Sequence, residues 1–411
     1  MPTNNKYYFL EQASVLNSML FLERFVYYGL QTFAYSYLIS EAMNLYGDDA
    51  TELLFTFSSA LLFARIFGGL MVDFLFGNKI AFLVSCGLQI LGIVLFMQEK
   101  LGLFYLGMFV FIAGQSLFSP AILKSIGLLY SSRKHKLDGA VSLNTFAINL
   151  GSFLAPLAFH YLELASTFRA GFISCIICFA VIAGLSFLVK KAGPDSAIDD
   201  SVQDTGNNRV NETIFLSIFG LFLYWLFIQL TNRSMTYSTY SGFRSGSVNL
   251  FVSLIPALIP LVGYLIFGIL WNRFKFPSLL KVVIGFGFAT ISIFAAILTL
   301  ENSQTDSPVF MSTFIILNFL GEIMIVPTLL SLILQYSPQK LMGTFSGLAL
   351  SAYGFLSMFI GNKLFDEIGD GNYLVMAIVS GAGFFFCTLT VLILFLLTRK
   401  KDAVHNHLDE F

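Results

Sequence analysis

The stretch KKAGPDSAIDDSVQDTGNNRVN, Lys190 to Asn211, is the longest polar break in a chain otherwise made of apolar runs. Runs of about twenty residues recur on both sides of it, each long enough to cross a hydrocarbon core roughly 30 Å thick. Working outward from the break, we expect spans at 168–189, 139–163, 102–130, 79–98, 51–75 and 14–40 on one side. On the other side we expect 212–233, 247–271, 279–300, 309–336, 343–366 and 372–398. The break divides twelve spans six and six. This predicts an all-α polytopic membrane protein of about twelve helices in two six-helix bundles: a bundle over 1–189, a linker over 190–211, a second bundle over 212–398 and a tail over 399–411.

Composition agrees with that reading. Charged residues make up 11% of the chain and hydrophobic residues 56%, where a soluble chain carries about 25% charge. The 47 Phe and 33 Gly also suit a membrane interior. A net charge of −1 points to no nucleic acid. The four cysteines, Cys86, Cys175, Cys178 and Cys387, lie inside apolar runs and suggest neither a disulfide framework nor a metal site. No cofactor is expected. Met1 to Glu11 is short and polar and the first apolar run is too long for a signal core, so no cleavable signal is expected.

Charge asymmetry sets an orientation. With both termini inside, the inner connections hold Lys79, Arg133, Lys134, Lys136, Arg273, Lys275 and Lys340, among others. The outer ones hold Lys100, Arg169, Arg244 and Lys363, beside the acidic loops GDDATE (47–52) and DEIGDGN (366–372). Both ends are therefore expected in the cytoplasm. The short loops suit a bacterial inner membrane.

The two halves also read as repeats. The fourth span has Gly114-Gln115, then Pro120 and Tyr130; the tenth has Gly321-Glu322, then Pro327 and Tyr336. Parallel repeats meeting at a midplane cavity describe a major facilitator transporter.

A charge at the bilayer centre costs at least ~2.5–3.5 kcal/mol, so each one inside a span is a functional candidate. These are Glu23, Arg24, Arg65, Lys124 and Glu322. Arg24, Tyr28 and Gln31 fall at i, i+4 and i+7 on one helical face, with Glu23 and Tyr27 on an adjacent one. A purely structural Glu23–Arg24 arrangement holding helices together stands as the alternative. Glu322 can take up a proton or meet a cationic substrate group, or be locked to a neighbouring helix. Arg65 and Lys124 can hold an anionic substrate or balance Glu23 and Glu322.

At these residues the sequence resembles the proton-dependent oligopeptide transporter family. LERFVYYG (22–29) is similar to the family's ExxER motif with its following aromatic pair. GGLMVDFLFGNK (68–79) is similar to the superfamily loop signature, with Gly69, Asp73 and Gly77 as a conformational motif. FAINLGSF (146–153), YWLFIQ (224–229) and LGEIMIVP (320–327) resemble three further family motifs in the right order. The resemblance implies proton-driven uptake of di- and tripeptides by alternating access, with Glu23, Arg24 and Glu322 in coupling and gating. It implies substrate contacts at Tyr27, Tyr28, Gln31, Ser119, Asn149, Gln229, Ile255 and Glu322, with Lys124 a further candidate.

The departures matter as much. The family's first motif carboxylate falls on Leu20, its carboxylate-holding Arg on Gln31, its Lys before proline on Ser119, its seventh-helix Glu on Ile228 and an Asn on Ile255. Lys124 lies five residues past the vacant position, so it faces about 140° away and about 7.5 Å along. The ranked readings are a carrier of small peptides or amine-bearing solutes, with protons as the coupling ion; a uniporter or organic-anion carrier; and a non-transporting receptor or scaffold. No catalytic spacing points to an enzyme, and nothing in the chain signals an oligomeric state.

Overall fold

Within hydrocarbon each backbone N–H and C=O must be satisfied inside the protein, so apolar runs of this length become helices. A computed structural model describes residues 3–41, 43–165, 167–190, 207–242, 250–301, 308–368 and 372–408. Within these, side chains are described at 8–41, 43–162, 167–190, 210–233, 258–301, 309–368 and 372–398.

Every expected span is helical over its described residues. The elements are α1 (Thr3–Ile39), α2 (Gly47–Met71), α3 (Gly77–Phe96), α4 (Leu101–Leu129), α5 (Leu137–Ala165) and α6 (Phe168–Leu188). They continue as α7 (Asn207–Gly242), α8 (Leu250–Arg273), α9 (Ser278–Glu301), α10 (Pro308–Tyr336), α11 (Met342–Ser351), α12 (Ser357–Ile368) and α13 (Tyr373–Leu408). A π-helical turn over Ala352–Leu356 joins α11 to α12, and the pair forms the eleventh span. Among the described residues nine stretches are long and apolar enough to cross a membrane, with Gly47–Phe96 counted as one. The first span is not among them, because Glu23, Arg24 and Gln31 lower its hydropathy.

Helix ends overrun the expected spans at α1, α7 and α13. Hydropathy locates the hydrocarbon boundary and carries no stop signal for the helix itself. In α1 the polar extension has its own anchor. Gln12 accepts the backbone N–H of Lys190 at 2.9 Å and donates to the carbonyl of Leu188 at 3.2 Å, so it satisfies the end of α6.

The α2–α3 junction is a π-helical turn over Val72–Phe76, followed by Gly77 at φ +66°. A side chain at that φ would be strained, which is the reason for glycine there.

The chain divides into two compact units, Met1–Ile214 with Ile333–Ser351, and Phe215–Leu332 with Ala352–Phe411. In the first, an aromatic core forms around Phe33, which stacks on Phe159 at 5.6 Å, and around Phe96, which meets Phe104 at 4.6 Å. Tyr37 reaches the same region and donates its hydroxyl to the Phe96 carbonyl at 2.6 Å. In the second, Tyr224, Tyr264, Phe286 and Phe384 are fully buried, with Tyr224 and Phe384 at 5.8 Å.

Hydrocarbon gives helices no hydrophobic reason to associate, so small residues that allow close approach take over. Gly114 of α4 lies against the Ser85 carbonyl of α3 in the first unit. Gly321 of α10 lies against the Gly285 carbonyl of α9 in the second. The repeat seen in the sequence therefore carries the same packing role twice, and the residue after each glycine, Gln115 or Glu322, is brought to a polar partner.

Candidate functional site

In the first unit the polar group is built on one face of α1. Glu23 and Arg24 are both buried, and a buried charge is tolerated only with partners. Arg24 Nε lies 2.9 Å from Glu23 Oε2. Gln115 donates its amide to Glu23 Oε1 at 2.9 Å, and Arg24 Nη2 donates to Ser119 Oγ at 2.6 Å. Gln115 and Ser119 stand four apart on α4, so one face of that helix serves both charges. Arg65 of α2, also buried, adds a second positive charge close enough to act on Glu23.

The stripe continues along α1. The Arg24 guanidinium sits 5.7 Å from the Tyr27 ring centre, and Tyr27 meets Tyr28 edge-on at 5.1 Å. Gln31 donates to Tyr27 Oη at 2.8 Å and to Ser58 Oγ of α2 at 3.0 Å. The sequence assigns Tyr27 to a neighbouring face and Tyr28 to the face of Arg24. In the fold Tyr27 is the bridging ring, because the Gln31 side chain turns back one turn to reach its hydroxyl.

Two candidates stay outside this group. Asn149 donates to the Thr145 carbonyl one turn back in α5, at 2.9 Å. Lys124 pairs with Asp73 at 2.7 Å, with 11% of its side chain exposed and none of the aspartate's. The half-turn between Ser119 and Lys124 sends the first towards α1 and the second to the α2–α3 junction, so Lys124 pairs with Asp73 and not with Glu23. Asp73 also accepts the backbone N–H groups of Gly343 at 3.1 Å and Thr344 at 2.6 Å, and the Thr344 hydroxyl at 2.8 Å. Gly69 lies directly against the Gly343 backbone and Gly347 against the Arg65 carbonyl.

In the second unit Glu322 is half-buried and accepts the Tyr264 hydroxyl at 2.9 Å. Among the described residues no Lys, Arg or His lies within 4.0 Å of that carboxylate. Gln229 of α7 is half-buried beside Gly361 of α12. Ile255 lies outside the residues whose side chains are described. Trp225 packs on Tyr353 at 5.2 Å, at the π-helical turn of the eleventh span; such turns recur at functional sites.

Sequence reasoning assigned no role to Tyr264, Gln115, Ser58 or Thr344. A signal existed for two of them. A lone Tyr in the apolar α8 and a Gln inside α4 each carry a polar group that must find a partner when buried. Thr344 had none, since its partner lies 271 residues away.

With the geometry in place, comparison with known proteins narrows the class. The profile of the Major Facilitator Superfamily matches residues 16–362. The chain is 26% identical over 201 residues, 46% of its length, to the peptide transporter YePEPT of Yersinia enterocolitica. It is 30% identical over 185 residues, 44% of its length, to dipeptide and tripeptide permease A of Chromobacterium violaceum. These matches span 39% and 37% of the two relatives, well under two thirds of either. A crystal structure of a POT family transporter in complex with 5-aminolevulinic acid aligns over 93% of this chain and 95% of its own, with a TM-score of 0.62 and 18% identity. At that identity the likeness is one of fold.

Proposed function

The chain belongs to the Major Facilitator Superfamily, and from that premise we propose that it is a divergent peptide-type carrier, moving small peptides or related amine-bearing solutes by proton-coupled alternating access. The observation that carries this reading is Glu322. It is a carboxylate within a membrane helix with a tyrosine hydroxyl as its partner and no cation within ion-pairing distance among the described residues. Such a group is completed by a proton or by an amine, and a coupled carrier needs a site that exchanges the two. Glu23 differs, because Arg24 already neutralises it; its part is in the gating network on α1.

The rest of the proposal follows the chain. Residues 1–189 and 212–398 act as the two six-helix halves, with 190–211 as linker and 399–411 as tail. Asp73, with Gly69 and Gly77, acts as the latch that holds the start of α11 in one conformation. Lysine and arginine placement supports cytoplasmic termini, and the bacterial origin of the matched relatives supports an inner membrane. Work of this kind is transport without catalytic chemistry.

A second reading is favoured by one specific feature. Gln31 and Ser119 are neutral, and Lys124 is held by Asp73. A peptide carboxylate thus finds fewer cations on α1 and α4 than the family pattern offers. This favours amine-bearing solutes without a carboxylate, or a uniporter.

Uptake of a labelled dipeptide into liposomes holding the purified protein, with and without an inward proton gradient, tests the proposal. Gradient-driven accumulation supports it. Equilibration without accumulation makes the protein a uniporter. Absence of flux for peptides, amines and organic anions alike, in folded protein, favours a receptor or scaffold.

A further inference from the structure

At the lysine-rich end of the first unit, a cavity of about 460 Å³ opens between the start of α1, the α2–α3 junction, α4 and the end of α6. Its floor is apolar, from Leu16, Phe76 and Leu128, and its charged lining residues are Lys79, Lys124 and Lys190. Among the described lining residues none is acidic.

The lysines are positioned rather than loose. Lys79 Nζ lies 5.5 Å from the Phe187 ring centre, and Lys190 Nζ 5.5 Å from the Tyr8 ring centre. Lys190 also pairs with Glu11 at 3.5 Å, with both side chains more than half exposed; a pair of that kind is weak. Below them Lys124 is engaged with Asp73. Asn78, which donates to Ser125 Oγ at 2.9 Å, leaves its buried Oδ1 without a hydrogen-bond donor among the described residues. Ile80, which lines the cavity, and the neighbouring Phe187 and Leu188 are 55%, 62% and 53% exposed.

A cationic rim over an apolar floor, next to exposed apolar side chains, fits a molecule with a negative head and acyl chains. A free phosphate would leave the floor unfilled. We infer that this cavity is a binding site for an anionic phospholipid of the phosphatidylglycerol type. The phosphate sits between Lys79 and Lys190, a head-group hydroxyl donates to Asn78 Oδ1, and a chain runs along Ile80, Phe187 and Leu188. Basic pockets between membrane helices hold anionic head groups on the same physical ground, charge attraction combined with apolar burial. The bound phosphate also lies next to the Asp73–Lys124 pair, since Lys124 lines the same cavity. The site does not depend on which solute is carried.

The test is native mass spectrometry of the full chain, purified in neutral detergent and titrated with phosphatidylglycerol, phosphatidylcholine or inorganic phosphate. The expected result is saturable binding of phosphatidylglycerol ahead of phosphatidylcholine, with inorganic phosphate unable to displace it. K79Q/K190Q weakens that binding by about 5-fold per lysine, roughly 25-fold together. K79R/K190R keeps it, and K100Q, at the opposite end of the bundle, leaves it unchanged. Equal binding of phosphatidylcholine, or undiminished phosphatidylglycerol binding by K79Q/K190Q, overturns the proposal. Displacement by inorganic phosphate at matched concentration overturns it too, and assigns the lysines to a soluble anion.

Discussion

Asp73 accepts the backbone N–H of Thr344 at 2.6 Å, joining the end of the second span to the start of the eleventh across 271 residues of chain. A helix N-terminus presents orphan N–H groups and the positive end of its dipole, so a carboxylate there is favoured twice. Lys124 supplies a third stabilising contribution, a positive charge at 2.7 Å. The arrangement explains why an aspartate survives with its side chain fully buried.

Removing one member of a buried pair strands the other. D73N is expected to lower stability by about 3–5 kcal/mol, because Lys124 is left uncompensated. The double variant D73N/K124Q should be more stable than the sum of the single losses predicts. Thermal unfolding in detergent checks this, and strictly additive losses would show that the two residues do not act as a pair.

Arg24 binds both Glu23 and Ser119, which asks for a fork of donors. R24K retains charge but not that geometry. It should therefore lose transport while remaining folded, whereas R24A takes the ion-pair partner from buried Glu23, leaving it Gln115 and the more distant Arg65, and costs about 3–5 kcal/mol. Uptake assayed together with Tm separates the two effects. Full transport by R24K would remove the gating role.

Glu322 is expected to be needed for function rather than for folding. E322Q keeps an oxygen for the Tyr264 hydroxyl and should abolish uptake with Tm within a few degrees of the parent. Y264F, which removes one hydrogen bond to a charged group worth about 1.5–3 kcal/mol, should weaken uptake without abolishing it. Unchanged accumulation by E322Q would take Glu322 out of the mechanism.

Close helix approach gives a prediction independent of charge. A side chain at Gly347 would run into the Arg65 carbonyl, whereas Gly184 has nothing within 4 Å of a would-be Cβ. G347L is expected to lower Tm by several degrees and to impair uptake, while G184L leaves both near the parent value. Equal behaviour of the two variants would mean that the contact between α2 and α11 is dispensable.

Much of this molecule was legible in its residues. The all-helical fold of about twelve spans and the positions of Glu23, Arg24 and Glu322 inside helices follow from hydropathy and from the scarcity of charge in apolar runs. The bilayer imposes a span length of about twenty residues, and that signal is local along the chain. Even the outward turn of Lys124 from Ser119 follows from 3.6 residues per turn.

What the residues did not disclose is which partner each charge would take. Lys124 is held by Asp73, Glu23 by Gln115 as well as Arg24, and Glu322 by Tyr264. Gln12 extends α1 by satisfying the end of α6. Each of these contacts joins residues between 51 and 178 positions apart, the Glu23–Arg24 pair excepted. The sequence by itself determined where the chain crosses the membrane and where charge had to be accommodated there. Only the tertiary structure decided the partners, because they depend on which helix faces meet when glycines let backbones approach, and no local period along the chain encodes that.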